Sequence, residues 1–266
     1  MSLLAGVYTA IKVNGDCYYR ASITYRGKHI SIGSYATEIE ANNAYVLADS
    51  VLMNAAAYKI EGYASPCILD FHKWVVLINF RDHDIYFKNP IYLKKRYFIY
   101  YINSLALKFD VDDLFYYANH KIMKRGEHLF VSDYGMQVSI LSRYGIKNYA
   151  VPGRDYLFSN GDNTDYRYAN IEIINHYYGV TKRFEKGRAI YLAKIHINGD
   201  YIIGRYTTEV EAAIAYNKAT SIMRNYGSTK NFPQNYIDGI DEIEYAKIYN
   251  RIRVSKKLRT ELFVFS

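Results

Sequence analysis

The sequence predicts an α+β fold: two small modules, each a three-stranded antiparallel sheet with one helix, flanking a central α+β domain. Three observations carry this. One stretch occurs twice, from Gly6-Val7 to Ala48 and again from Gly179-Val180 to Ala219, with a constant offset of 171 from Gly33/Gly204 onward. Alternating apolar and polar residues separated by hairpin turns fill the first half of each copy. An alanine-rich face at helical spacing fills the second half.

In copy one, Ser22 and Thr24 alternate with Ala21 and Ile23, as side chains do across a strand. Asn14-Gly15-Asp16 and Arg26-Gly27-Lys28 mark its turns, and Asn198-Gly199-Asp200 marks one in copy two. Thr37-x-x-Glu40 and Thr208-x-x-Glu211 read as capping boxes. Behind them Ala41, Ala44, Tyr45, Ala48 and Leu52 share one helix face, as do Ala212, Ala215, Tyr216, Ala219 and Met223. Small residues on that face let the helix lie close to its sheet. A repeat at this separation is two copies of a module rather than a solenoid.

The boundaries follow: residues 1–60 for the first module, 66–175 for the central domain, 176–233 for the second module, and 234–266 for a last helix and tail. In the central domain, Cys67 to Phe87 reads as β-like, with Trp74 to Phe80 as a buried strand. Ile91 to Lys108 is Tyr-rich and helix-compatible, and Asp110 to Lys124 is helical with Asp110 as a cap. Leu129 to Gly135 reads as strand and turn. After Pro233 a helix spans about 240–259, acidic at its start and basic at its end, which complements the helix dipole; Ile240, Ile243, Ile248 and Ile252 are its packing face.

The formal net charge is +8. Residues 176–232 carry nine basic and four acidic side chains, while the other segments are each close to balance. The excess in the second module suits contact with phosphates. The 31 tyrosines fit an AT-rich coding genome, base stacking or protein interfaces equally well. Cys17 and Cys67 have neither metal nor disulfide spacing, so a reducing, cytoplasmic setting is expected. No apolar run is long enough to span a membrane, and the N-terminus does not read as a signal peptide.

The strings Gly-Val, aromatic-x-Ala, Ile-Gly-x-Tyr and Thr-Glu-x-Glu-Ala-x-x-Ala-Tyr, with Asn231-Phe232-Pro233 closing copy two, resemble the Apetala-two/ethylene-response-factor DNA-binding domain. Copy one lacks the Asn-Phe-Pro end. The resemblance implies a sheet docked in the major groove of double-stranded DNA with the helix behind. It implies DNA-facing positions at Tyr8, Ala10, Ser22, Thr24, His29 and Ser31 in copy one, with Arg20, Arg26 and Lys28 adding positive charge; alternation puts Arg20 and Arg26 on the Ser22/Thr24 face. In copy two the positions are Thr181, Lys182, Arg183, Lys194, His196 and Ile202. The family's residues there are mostly Arg and Trp, so its base preference does not carry over.

Between the copies, Asp155-Tyr156-Leu157-Phe158-Ser159-Asn160-Gly161-Asp162, then Asp165-Tyr166-Arg167 and Asn170-Ile171, resemble the core of HNH homing endonucleases. Those enzymes often carry an Apetala-two module immediately downstream. The chemistry needs a His base and a carboxylate holding a divalent metal. Asp155 and Asn170 remain, but Tyr156 stands at the base position, and a phenol is a poor base at neutral pH. The expectation is a catalytically dead nuclease core, with Asp155, Tyr156 and Asn170 vestigial and no cofactor. A working nuclease would use Mg²⁺ and another base, with His120, His128 and His176 as candidates. The expected function is sequence-preferring binding of double-stranded DNA by a protein of phage or mobile-element descent. A phage-borne inhibitor that binds protein through its Tyr-rich surfaces is the remaining alternative.

Overall fold

The computed structural model describes residues 3–103, 105–148 and 150–254. The chain forms an α+β structure of small antiparallel sheets and helices. It divides into two compact units. One takes residues up to Ile140 together with Asp162–Asn170; the other takes Leu141–Gly161 and Ile171 onward. Each copy of the repeat lies within one unit, and the stretch 66–175 contributes to both.

In the first unit, β1 (Val7–Ile11), β2 (Cys17–Tyr25) and β3 (Lys28–Tyr35) form a sheet in the order β1-β2-β3, backed by α1 (Glu38–Met53). Thr37 caps α1 with both halves of a capping box. Val7, Ala21, Ile23, Ile30 and Ile32 face Ala41, Ala44, Ala48, Val51 and Leu52 in one core. A bulge in the β2–β3 pairing leaves Ile32 unpaired. On the other side of β2, the Ser22 N–H continues the β1 pairing to the Gly6 carbonyl at 3.0 Å. Gly6 has φ +70°, and a Cβ there would run into the Tyr45 ring. A Cβ on Gly33 would stand 2.8 Å from the Tyr35 hydroxyl. These contacts explain why Gly-Val, Ile-Gly-x-Tyr and Ala-Tyr recur together.

The rest of this unit differs from expectation in three places. Trp74 to Phe80 is not a strand; it lies in α2 (Phe71–His83). Asp70 caps α2 by accepting the Lys73 N–H at 2.6 Å, and Asp84 ends it in the left-handed region. The run Trp74 to Arg81 is buried on all sides, so it shows no helical period. Its polar members are bonded: Asn79 donates to the Ile85 carbonyl and accepts from Leu93 N–H, while Arg81 Nη1 donates to the Val51 and Tyr58 carbonyls.

Ile91 to Lys108 is not helical. It forms the meander β4 (Ile91–Leu93), β5 (Tyr97–Ile102) and β6 (Leu105–Asp110). Phe98 and Tyr100 alternate inward, as do Leu107 and Phe109, a strand period in residues that favour pleated surfaces. The helix expected over Asp110 to Lys124 shrinks to α3 (Leu114–Asn119). Asp110 does not cap it; its carboxylate accepts the Tyr168 N–H at 2.7 Å. There follow β7 (Ile122–Arg125), β8 (His128–Asp133) and β9 (Met136–Ser139), with Tyr134-Gly135 as the turn between the last two.

The second unit contains a short hairpin, β10 (Tyr156–Phe158) with β11 (Ile171–Ile173), and then copy two. Here β12 (Val180–Glu185), β13 (Arg188–His196) and β14 (Asp200–Tyr206) are backed by α4 (Glu209–Asn225). The bulge recurs between Ala193 and Lys194, leaving Ile203 unpaired, and the Lys194 N–H reaches the Gly179 carbonyl at 2.7 Å. Gly179 (φ +69°) lies against the Tyr216 ring, and a Cβ on Gly204 would stand 2.6 Å from the Tyr206 hydroxyl. Phe232 is buried in this core, and the Asn217 side chain donates to the Asn235 carbonyl and accepts the Asn235 N–H. The last helix, α5 (Glu242–Arg251), is shorter than expected. Ile240 and Ile248 pack on the core and Ile252 is buried within it, whereas Ile243 is exposed. Lys256, Lys257 and Arg259 of the expected basic end lie outside the described residues.

Gly179→Ala and Gly187→Ala form a matched pair. Both glycines have positive φ, but space around Gly187 is open. Gly187→Ala is expected to cost about 1–2 kcal/mol from backbone conformation alone. Gly179→Ala is expected to cost about 1–3 kcal/mol more, because the Tyr216 ring and the Lys194 carbonyl must both move. Denaturant unfolding of the two variants measures the difference.

Candidate functional site

The helix covers one face of each sheet; on the other, Ser22 and Leu192 are nearly buried and most of the remaining side chains are exposed. Strand alternation and the register assign every residue to a face. In copy one, Tyr8 pairs with Arg20, Ala10 with Tyr18, Ser22 with Ser31, and Thr24 with His29, all on the outer face. Tyr8 is 56 % exposed, and the Arg20 guanidinium lies 5.5 Å from the centre of the Tyr18 ring. Thr24 Oγ1 and His29 Nδ1 are 3.4 Å apart. Ser22 is on this face too, although it is nearly buried.

Two expected members of the face are elsewhere. Arg26 does not continue the alternation, because it sits in the β2–β3 turn with φ +46°. Its guanidinium bonds the Asp84 carboxylate and the Arg81 carbonyl at the end of α2. Lys28 pairs with Tyr25 on the helix side, and its ammonium lies 5.0 Å over the Tyr86 ring. The outer face of copy one therefore carries one cation, Arg20, set among tyrosines and hydroxyls.

The outer face of copy two is different. It carries Thr181, Arg183 and Glu185 from β12; Arg188, Ile190, Leu192, Lys194 and His196 from β13; and Asp200, Ile202 and Arg205 from β14. Lys182 is not among them: it pairs with Tyr191 on the helix side, and its ammonium lies 5.7 Å from the Phe184 ring. Asp200 stands where copy one has His29. Its carboxylate is 2.9 Å from His196 Nδ1 and 3.5 Å from Lys194 Nζ. The hydrogen bond from His196 and the charge of Lys194 hold the Asp200 carboxyl below its ordinary value. Glu185 lies 3.5 Å from Arg205, whose side chain must cross β13 to reach it. Arg183 and Arg188 are exposed, and neither has a carboxylate partner among the described residues. Sequence reading missed Arg188, Arg205, Glu185 and Asp200. Carrying the alternation on from Lys194 would have found Asp200 opposite His196; Arg205 is hidden because the bulge shifts the phase at Ile203.

The nuclease-like residues are committed to structure. In the second unit, Asp155 is 1 % exposed. Its Oδ2 accepts from Val151 N–H and from Arg154 Nε and Nη2, its Oδ1 accepts from Asn175 Nδ2, and Lys147 Nζ lies 3.5 Å away. Burial raises the Asp155 carboxyl, but these donors and charges together bring it below its ordinary value. A divalent metal would have to displace several of these donors, so the carboxylate does not fit the metal-holding role. Asn175 Oδ1 also accepts the Lys182 N–H at 2.7 Å, which ties this network to β12. Tyr156 is buried 5.8 Å from Phe158, and burial raises its hydroxyl further.

In the first unit, Tyr166 packs on Phe109 with ring centres 5.5 Å apart. Asn170 Nδ2 donates to the Asp165 carbonyl at 2.8 Å. Asp162 holds the Thr164 N–H and hydroxyl, a turn built by a side chain. The bond from Lys108 and those from Thr164 push its carboxyl down to about 2. Of the alternative bases, His120 stacks on Tyr116 and bonds its carbonyl, His176 is bonded to Glu209, and His128 is exposed. Among the described residues no cluster of three or more His, Cys, Asp or Glu could hold a metal ion, and no helix is long and apolar enough to cross a membrane.

Asp155→Asn is expected to destabilise the second unit by about 3 kcal/mol, since it leaves Lys147 without its charge partner. A depressed carboxyl gives stability that is present above the ordinary Asp value and is lost as pH falls through the folded one. Wild-type unfolding below about pH 4 should therefore contain an acid-labile part that the Asn variant lacks; parallel curves would contradict the clamp role. No family model, curated protein or solved structure matches the chain.

Proposed function

We propose that the chain binds double-stranded DNA through the outer sheet face of copy two, and that its nuclease-like hairpin is a structural remnant without catalysis. The observation that carries this reading is the outer face bearing Arg183, Arg188, Lys194 and Arg205 on three adjacent strands. A two- or three-stranded ribbon fits the major groove, and cations on it meet phosphates at the rims. The resemblance of both copies to the Apetala-two domain adds to the argument. The dead nuclease core is supported by Asp155, whose carboxylate is filled with internal donors, and by the buried Tyr156. Descent from a phage or mobile-element nuclease rests on the order of motifs.

The outer face of copy one supports a second reading for that module alone. One cation beside Tyr8 and Tyr18 suits a protein partner better than a polyanion. Retention of a partner after nuclease digestion of a host lysate, lost in Tyr8→Ala, would favour it.

Arg183→Ala and Arg188→Ala are each expected to weaken duplex binding by about fivefold at physiological salt and to reduce the salt slope by about one. Titrations at several salt concentrations read both; an unchanged slope in either variant would rule out the assigned face. Supercoiled plasmid incubated with the protein and Mg²⁺ or Mn²⁺ should stay supercoiled. Nicking that survives purification would overturn the non-catalytic part.

A further inference from the structure

We infer that Asp200 and Glu185 restrict the outer face of copy two to selected DNA registers, by holding its cations away from indiscriminate phosphate contact. The inference rests on the duplex-binding reading above. Five side chains on this face are or can be cationic: Arg183, Arg188, Lys194, His196 and Arg205. Asp200 binds two of them, Lys194 and His196, and Glu185 binds a third, Arg205.

The two carboxylates sit toward opposite ends of the face. Glu185 pairs with Arg188 at the start of β13, and Asp200 pairs with His196 at its end. Those ends are roughly 27 Å apart along the strand. Exposed ion pairs of this kind add little to folding stability, so stability alone does not account for them. Their effect on a ligand is larger. A phosphate that takes Lys194 or Arg205 must displace a carboxylate, and that carboxylate then faces the polyanion. Where the groove instead offers a base-edge donor, such as the cytosine amino group, the carboxylate keeps a partner. Copy one has no such device: His29 stands in place of Asp200, and no carboxylate lies on its outer strands.

The test uses the full chain, a random-sequence duplex pool, and the variants Asp200→Asn, Glu185→Gln and the pair combined. Glu242→Gln, in the first turn of α5 and off this face, controls for net charge. Each face variant should bind the random pool about fivefold tighter than wild type at physiological salt, with a salt slope steeper by about one per released cation. Sequence enrichment from the pool should flatten in the same variants. Equal or weaker binding than wild type, or a gain no larger than that of Glu242→Gln, overturns the inference and leaves duplex binding standing. Binding by neither wild type nor the double variant at low salt defeats the duplex reading and the inference with it. Binding by the double variant alone defeats the duplex reading for the native chain, and the inference with it.

Discussion

An aromatic ring laid against a glycine at positive φ fixes each copy of the repeat. Tyr45 covers Gly6 and Tyr216 covers Gly179, so the start of the first strand and the middle of the helix are held together at one point. The same glycine's carbonyl accepts an N–H of the second strand, from Ser22 or Lys194, and so carries the first-strand pairing one residue further. Helix, edge strand and central strand are therefore coupled through a single residue that cannot carry a side chain. The far side of the sheet takes no part in this lock, and there the two copies differ most.

That freedom separates scaffold from surface. The core positions Val7, Ala21, Ile23 and Ile32 correspond to Val180, Ala193, Ile195 and Ile203. On the outer face, Thr24 beside His29 becomes His196 beside Asp200, and Ser22 becomes Lys194. Copy one presents rings and hydroxyls; copy two presents a charge network. One backbone thus supports two surfaces of unlike chemistry.

The sheets and helices of both copies were legible because each is amphipathic: strand period two and helix period 3.6 appear only when one side is buried. The same reasoning explains the failures. In α2, Trp74 to Arg81 is buried all round, so the apolar run is continuous and length alone had to decide between strand and helix. In β5 and β6 the alternation of Phe98 with Tyr100 was masked by the high tyrosine content, since amphipathic tyrosines occupy both faces. Of the candidate site, the faces of Arg183, Lys194 and His196 could be read from alternation. That of Lys182 could be read too, since it lies between Thr181 and Arg183 on β12 and so takes the other face; those of Arg26 and Lys28 could not, because a left-handed turn residue and a change of strand reset the phase. The internal donors that fill Asp155 come from Lys147, Val151, Arg154 and Asn175, a pattern only the folded chain assembles.

The two copies are also closed by equivalent helices. The core of copy one is completed by Trp74, Leu77 and Ile78 of α2; Tyr245, Ile248 and Tyr249 of α5, at the same offset as the rest of the repeat, pack on the core of copy two. Each helix starts behind an aspartate cap, Asp70 and Asp241. What was duplicated is therefore more than a sheet and a helix: it includes a second helix that seals the core. Transplanting either copy into another protein means carrying that sealing helix along.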